Sequence, residues 1–222
     1  WLSDSDPNAW AGSAVATLDH DGDGVAELLV GAPRTAGFAG EVLVYDGLTL
    51  SGRLEGHDRS GQALAGADVD GDGLDDAIVG FDGGIDVFLG GTLLAAEPDW
   101  TWALAGAGDA LATGTLDLDG YADILVGASA IDRAVRVHGG SASLTEGDAI
   151  VGDTASGLGA AVSVVPDTDG DGLQDVFVGA PAAAEAWLVP AASDPTVFSG
   201  DDGFGTAVGT AGDLDGDGQA EL

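Results

Sequence analysis

The 222 residues are 45% hydrophobic with a mean hydropathy of +0.21, a balance that excludes a disordered chain. Against 39 acids stand five arginines and no lysine, so the formal charge of −34 disfavours nucleic-acid phosphates and anionic membrane surfaces and favours cationic partners. The absence of cysteine removes disulfides and thiolate zinc sites, leaving acid-bound metal as the means of cross-bracing, and no apolar run reaches the ~18–20 residues of a membrane helix.

In chain order, residues 1–10 align with the segment from Thr196 onward and read as the last strand of a preceding unit with its linker. A small-residue first strand follows, GSAVATL (12–18), then the acidic stretch DHDGDGVAE (19–27), the apolar second strand ELLVGAP (27–33) stopped by proline, and the alternating third strand EVLVY (41–45). The succession then returns. DVDGDGLDD (68–76) leads into DAIVGF and IDVFL, with a weaker fourth strand at TWALAG (101–106). DLDGYAD (117–123), read as a copy shortened by two residues, leads into DILVGA and AVRVH. DTDGDGLQD (167–175) leads into DVFVGAP and EAWLV, and DLDGDGQAE (213–221) opens a further unit.

The acidic stretches recur every 46–50 residues, a period that belongs to propeller blades or solenoid units. Four short strands fill each period, which predicts an all-β propeller of four-stranded antiparallel blades. The units run 11–59, 60–107, 108–156 and 157–203, with a truncated start at 204–222. Both ends fall inside a blade, so the chain is expected to continue on either side.

In DxDxDGxxD/E the side chains at positions 1, 3 and 5 can converge because glycine at 6 permits a sharp turn, a carbonyl at 7 adds a ligand, and the acid at 9 closes the shell. Oxygen donors alone suit Ca²⁺. The expected ligands are Asp19, Asp21, Asp23, Val25 and Glu27; Asp68, Asp70, Asp72, Leu74 and Asp76; Asp167, Asp169, Asp171, Leu173 and Asp175; and Asp213, Asp215, Asp217, Gln219 and Glu221. Asp117, Asp119 and Asp123 of the short copy are expected to bind weakly or not at all. An EF-hand is excluded, because position 12 holds Val30, Val79 or Val178 rather than an acid. Aspartate and glycine also favour metal-free turns, but four full copies in phase with a strand repeat outweigh that reading.

The repeat resembles the FG-GAP repeats of integrin α-subunit propellers and related bacterial surface proteins. Phe204-Gly205 matches the FG element, Ala11-Gly12 and Leu158-Gly159 more loosely, and Gly31-Ala32-Pro33 and Gly179-Ala180-Pro181 match GAP. The second unit carries Gly80-Phe81-Asp82 for GAP, and the third carries Gly108-Asp109 for FG. The resemblance implies a seven-bladed ring, with calcium bracing the turn between first and second strands and other loops engaging ligands or partner subunits.

The expectation for function is a calcium-stabilised binding or adhesion module, extracellular or at the cell surface, with protein or glycan ligands on exposed loops. The rivals are the propeller portion of a secreted carbohydrate- or lipid-active enzyme and a self-associating filament repeat. No nucleophile elbow, phosphate loop or zinc motif supports catalysis. His20, at loop position 2, is expected to point outward, and His57 and His138 to be surface or structural. Trp100, Trp102 and Trp187 are read as packing between blades.

Overall fold

The computed structural model describes residues 9–35, 39–92, 94–191 and 193–210. These form four separate four-stranded antiparallel sheets, each built from consecutive strands in chain order. The first holds β1 (Val15–Leu18), β2 (Glu27–Gly31), β3 (Val42–Asp46) and β4 (Thr49–Leu54). The second holds β5 (Ala63–Ala67), β6 (Asp76–Phe81), β7 (Gly84–Phe88) and β8 (Trp100–Ala103). The third has β9 (Leu111–Gly114), β10 (Asp123–Ala128), β11 (Arg133–His138) and β12 (Thr145–Val151), and the fourth has β13 (Ala161–Val165), β14 (Asp175–Ala180), β15 (Glu185–Val189) and β16 (Thr196–Ser199). This is the architecture of β-propeller blades.

The second strands are the apolar runs seen in the sequence, and β6, β10 and β14 are buried at every position. Branched side chains pack well on a pleated surface, and a strand covered on both faces has no need to alternate. The third strands read as alternating, yet β7 is buried at all five positions, Asp86 included, and β3 at four of five. An inner strand of a sheet covered on both faces buries its polar residues with the rest.

Packing divides the chain into two compact units, Trp1–Asp109 with Gly139–Leu144, and Ala110–His138 with Thr145–Leu222. In the first, blades 1 and 2 share a core that includes Leu18, Leu29, Val44, Leu54, Val79 and Phe88. In the second, blades 3 and 4 share Leu116, Leu125, Ile150, Leu158, Val176 and Val178, with Trp187 half-buried against them. Trp100 and Trp102 lie on the same, half-buried side of β8.

Neighbouring blades approach so closely at one point that only glycine fits. A Cβ on Gly31 would stand 2.0 Å from the Gly61 carbonyl oxygen, and one on Gly127 or Gly179 would stand 2.2 Å from Gly159 or 2.0 Å from Gly205. The opposing glycines have φ of +89°, +94° and +82°. Gly108, at φ +95°, faces Gly80 in the same way, so the third unit keeps its FG-type glycine after Ala107. Gly127→Ala is expected to destabilise the fold by about 1–3 kcal/mol or more, because backbone rather than a movable side chain occupies the space. Gly52→Ala, whose Cβ would meet Val44 at an ordinary 3.8 Å, should change the melting temperature little. Thermal melts followed by circular dichroism compare the two.

Candidate metal centre

Each described acidic loop joins the first strand of a blade to the second. Its ninth residue, Glu27, Asp76, Asp123 or Asp175, opens the second strand and is buried to 4% exposure or less. In all four blades this carboxylate accepts the backbone N–H of loop position 2: from His20 at 3.2 Å, Val69 at 2.8 Å, Leu116 at 2.7 Å and Thr168 at 2.7 Å. The Thr168 hydroxyl donates to the same oxygen of Asp175. The buried acid therefore pins the start of the loop to its end.

Above it, the position 1 carboxylate accepts two glycine N–H groups, from positions 4 and 6. Asp19 takes Gly22 and Gly24, Asp68 takes Gly71 and Gly73, and Asp167 takes Gly170 and Gly172, at 2.6–2.9 Å. The position 6 glycines have φ of +85° to +91°, which side-chain-bearing residues rarely adopt. At position 5, Asp23, Asp72 and Asp171 accept the N–H of Val25, Leu74 and Leu173.

These constraints bring carboxylate oxygens to within 4.8 Å of one another in three sets: Asp19, Asp21 and Glu27; Asp68, Asp70 and Asp76; Asp167, Asp169 and Asp171. Asp23 and Asp72 stand outside the first two sets, and Asp175 outside the third. Val25, Leu74 and Leu173 enter through their N–H groups. Asp213, Asp215, Asp217, Gln219 and Glu221 lie outside the described residues.

The electrostatics suit a cation. Burial pushes the Asp76 carboxyl up to about 6; N–H groups of Gly90 and Val69 oppose the rise, and the charges of Asp70 and Asp68 add to it. Asp70 is raised by burial and then by Asp72 and Asp68. Asp167 is lowered, because Gly172 and Gly170 donate to it. Asp175 Oδ1 is buried without a hydrogen-bond partner, and the partly buried Arg136 guanidinium feels its charge. A hard divalent ion with oxygen ligands would relieve the repulsion and satisfy such an oxygen, so the residues fit Ca²⁺.

The third loop corrects the sequence reading. It is not shortened. Asp123 pairs with Gly114 in the β9–β10 register as Glu27 pairs with Leu18 and Asp76 with Ala67. Leu116 fills position 2, and Thr115 is therefore position 1. Asp117 and Asp119 occupy positions 3 and 5, and the N–H bonds from Asp119 to Asp117 and from Tyr121 to Asp119 repeat those of the first loop. What the loop has lost is the carboxylate at position 1. In its place His138 Nδ1, at the end of β11, lies 3.0 Å from Asp117 and 3.1 Å from Asp123, and Asp119 is outside the set.

His20 is also corrected: it is 6% exposed, with Nδ1 2.8 Å from the Gly91 carbonyl oxygen and Nε2 3.8 Å from Glu27. The side chain at loop position 2 is buried in the first three loops, at His20, Val69 and Leu116, and exposed in the fourth, at Thr168. His57 is half-exposed, stacks on Phe81 and bonds the fully buried Asp86, which also accepts the Thr101 hydroxyl. Sequence reading missed position 8. Asp75 exchanges two bonds with the Asp19 backbone, and Gln174 exchanges two with Thr115, each linking a loop to the preceding blade within its unit. The polar residue at position 8, where the first and third loops carry alanine, was the available signal.

Two outcomes follow for metal. In metal-free protein, Asp76 binds its proton more tightly folded than unfolded, so its contribution to stability is full below about pH 4 and lost as pH rises through about 6. With calcium the carboxylate form is favoured and the trend across that window should reverse; melting temperatures at pH 4.5 and 7, with and without calcium, measure it. Asp70→Ala should lower the melting temperature much more in calcium than in metal-free buffer, and equal losses would mean that Asp70 is no ligand.

Residues 11–45 and 158–192 match the FG-GAP repeat family, covering the acidic loops of blades 1 and 4. The chain is similar to integrin alpha pat-2 of Caenorhabditis briggsae, 32% identical over 216 residues, an alignment covering 76% of this chain and 18% of that protein. A crystal structure of BBS1N in complex with ARL6DN, soaked with lead, is similar in fold, with a TM-score of 0.54 at 13% identity over 86% of this chain and 51% of that one. The chain thus spans only a part of the length of either relative.

Proposed function

This chain carries FG-GAP repeats, and from that premise we propose that it is a segment of an integrin-like recognition module, working outside the cell or at its surface and braced by Ca²⁺ in its acidic loops. The observation that carries the reading is the recurrence of converged carboxylates at the same inter-strand turn of successive blades. Bound there, calcium would supply positive charge and hold the turn; Asp19, Asp21 and Glu27, Asp68, Asp70 and Asp76, and Asp167, Asp169 and Asp171 are the residues that would receive it.

A brace of this kind makes sense for recognition. In the first and third loops the backbone of position 1 is bonded to position 8 of the next blade, and in the first unit the carbonyls of His20 and Val69 accept the N–H groups of Gly91 and Gly140. Ordering one loop therefore orders its neighbour, and rigid loops lose less entropy when a partner docks. Extracellular calcium is concentrated enough to fill modest sites, which favours action outside the cell. A protein ligand is the favoured partner, in keeping with the resemblance to an integrin α chain.

Calorimetric calcium titration of metal-stripped protein, followed by probing arrays of extracellular proteins and of glycans with and without chelator, tests both halves. Calcium uptake, a melting temperature raised by calcium, and chelator-sensitive capture of a protein are the expected results. A melting temperature indifferent to calcium overturns the brace. Binding confined to glycans, or none on either array in calcium, overturns protein recognition.

A further inference from the structure

Blade 3 departs from the other blades at two positions far apart in sequence, and the departures meet in space. Loop position 1 is Thr115, where the other described loops have Asp19, Asp68 and Asp167. The residue following the third-strand partner of Ile124 is His138; the corresponding places after Tyr45, Phe88 and Val189 hold Asp46, Leu89 and Pro190. The blade that lost a carboxylate is thus the one that supplies an imidazole beside the carboxylates that remain.

We infer that Asp117, Asp123 and His138 form a mixed nitrogen and oxygen site for a divalent transition-metal ion of the zinc class. Their ligand atoms lie within 4.8 Å of one another, with Nδ1 3.0 Å from Asp117 Oδ2 and 3.1 Å from Asp123 Oδ1. Each side chain is held in place by something else. Asp123 is fully buried, its Oδ2 fixed by the N–H groups of Leu116 and Asp117, which leaves Oδ1 turned to the imidazole. Asp117 Oδ1 accepts the Asp119 N–H, leaving Oδ2. The ring of His138 is seated over Gly147 of β12, where a Cβ would stand 2.2 Å from Nε2, and the β11–β12 ladder is bulged beside it. A glycine and a bulge at this point give the imidazole its room; bulges commonly re-aim side chains next to sites.

The donor set decides the metal class. Calcium prefers six to eight oxygens, and this loop offers fewer carboxylates than its neighbours. A neutral imidazole nitrogen with two carboxylate oxygens suits Zn²⁺ or a related ion, three protein ligands leaving one position open. The site does not depend on calcium filling the other loops.

The test uses the whole chain, metal-stripped and then held in excess calcium. Zinc is titrated calorimetrically, and cobalt is followed by its visible absorption. One zinc ion per chain should bind despite the calcium, and should displace cobalt. His138→Gln and Asp117→Asn should each weaken zinc binding by about 100-fold or more, since even residues supporting a metal ligand are worth about 10–100-fold. Should His138→Gln fail to fold by circular dichroism, Asp117→Asn and the ring-nitrogen NMR spectrum of the native protein decide, where zinc must shift the signals of one histidine of three. No zinc uptake by the native chain, or equal uptake by both variants, overturns the inference and leaves His138 as an internal counter-charge. Failure of calcium uptake with zinc binding intact would count against the calcium reading alone.

Discussion

A carboxylate buried at the head of each second strand, accepting the N–H of loop position 2, is the interaction on which these loops depend. It closes a seven-residue span into a fixed turn and satisfies an amide that the loop would otherwise leave unpaired near the core. It also places negative charge where water cannot reach it, in a chain with five cationic side chains other than histidine. Backbone donors, one each at Glu27 and Asp175 and two each at Asp76 and Asp123, offset part of that cost. The rest favours a donor or a positive charge nearby: the ring nitrogen of His138 beside Asp123, in blade 4 the distant field of Arg136, and a divalent ion where one is bound.

From that anchored turn, order spreads by backbone contacts. Asp19 and His20 of the first loop, Val69 of the second and Thr115 of the third are bonded by their backbones to the blade that follows. A few residues further along, paired glycines let the blades of each unit touch backbone to backbone. Both devices hold loops at fixed spacing without disulfides.

The third blade shows how the turn is kept without a carboxylate at position 1. Thr115 removes a charge from position 1, yet the loop keeps its length, its anchor at Asp123 and its turn at Gly120, with φ +92°. The compensation arises on another strand, at His138, and needs Gly147 on a third. On the inference drawn above, such a change would alter which ion is favoured while leaving the turn intact.

What the sequence determined by itself was everything set by local spacing: the strand repeat, the apolar second strands, the acid and glycine pattern of each turn, and the resemblance to FG-GAP repeats. Turn chemistry and hydrophobic runs act over a few residues, so they are readable in one dimension. Tertiary structure alone decided the register of the third loop, because its first position is defined by the pairing of Gly114 with Asp123 rather than by the first aspartate met along the chain. It decided that His20 turns inward and that His138 joins Asp117 and Asp123, since both follow from which strand lies beside which. It also decided that Asp75 and Gln174 reach the preceding blade. Contacts between strands depend on packing across tens of residues, and the polar residue at loop position 8 is the one local mark that they leave.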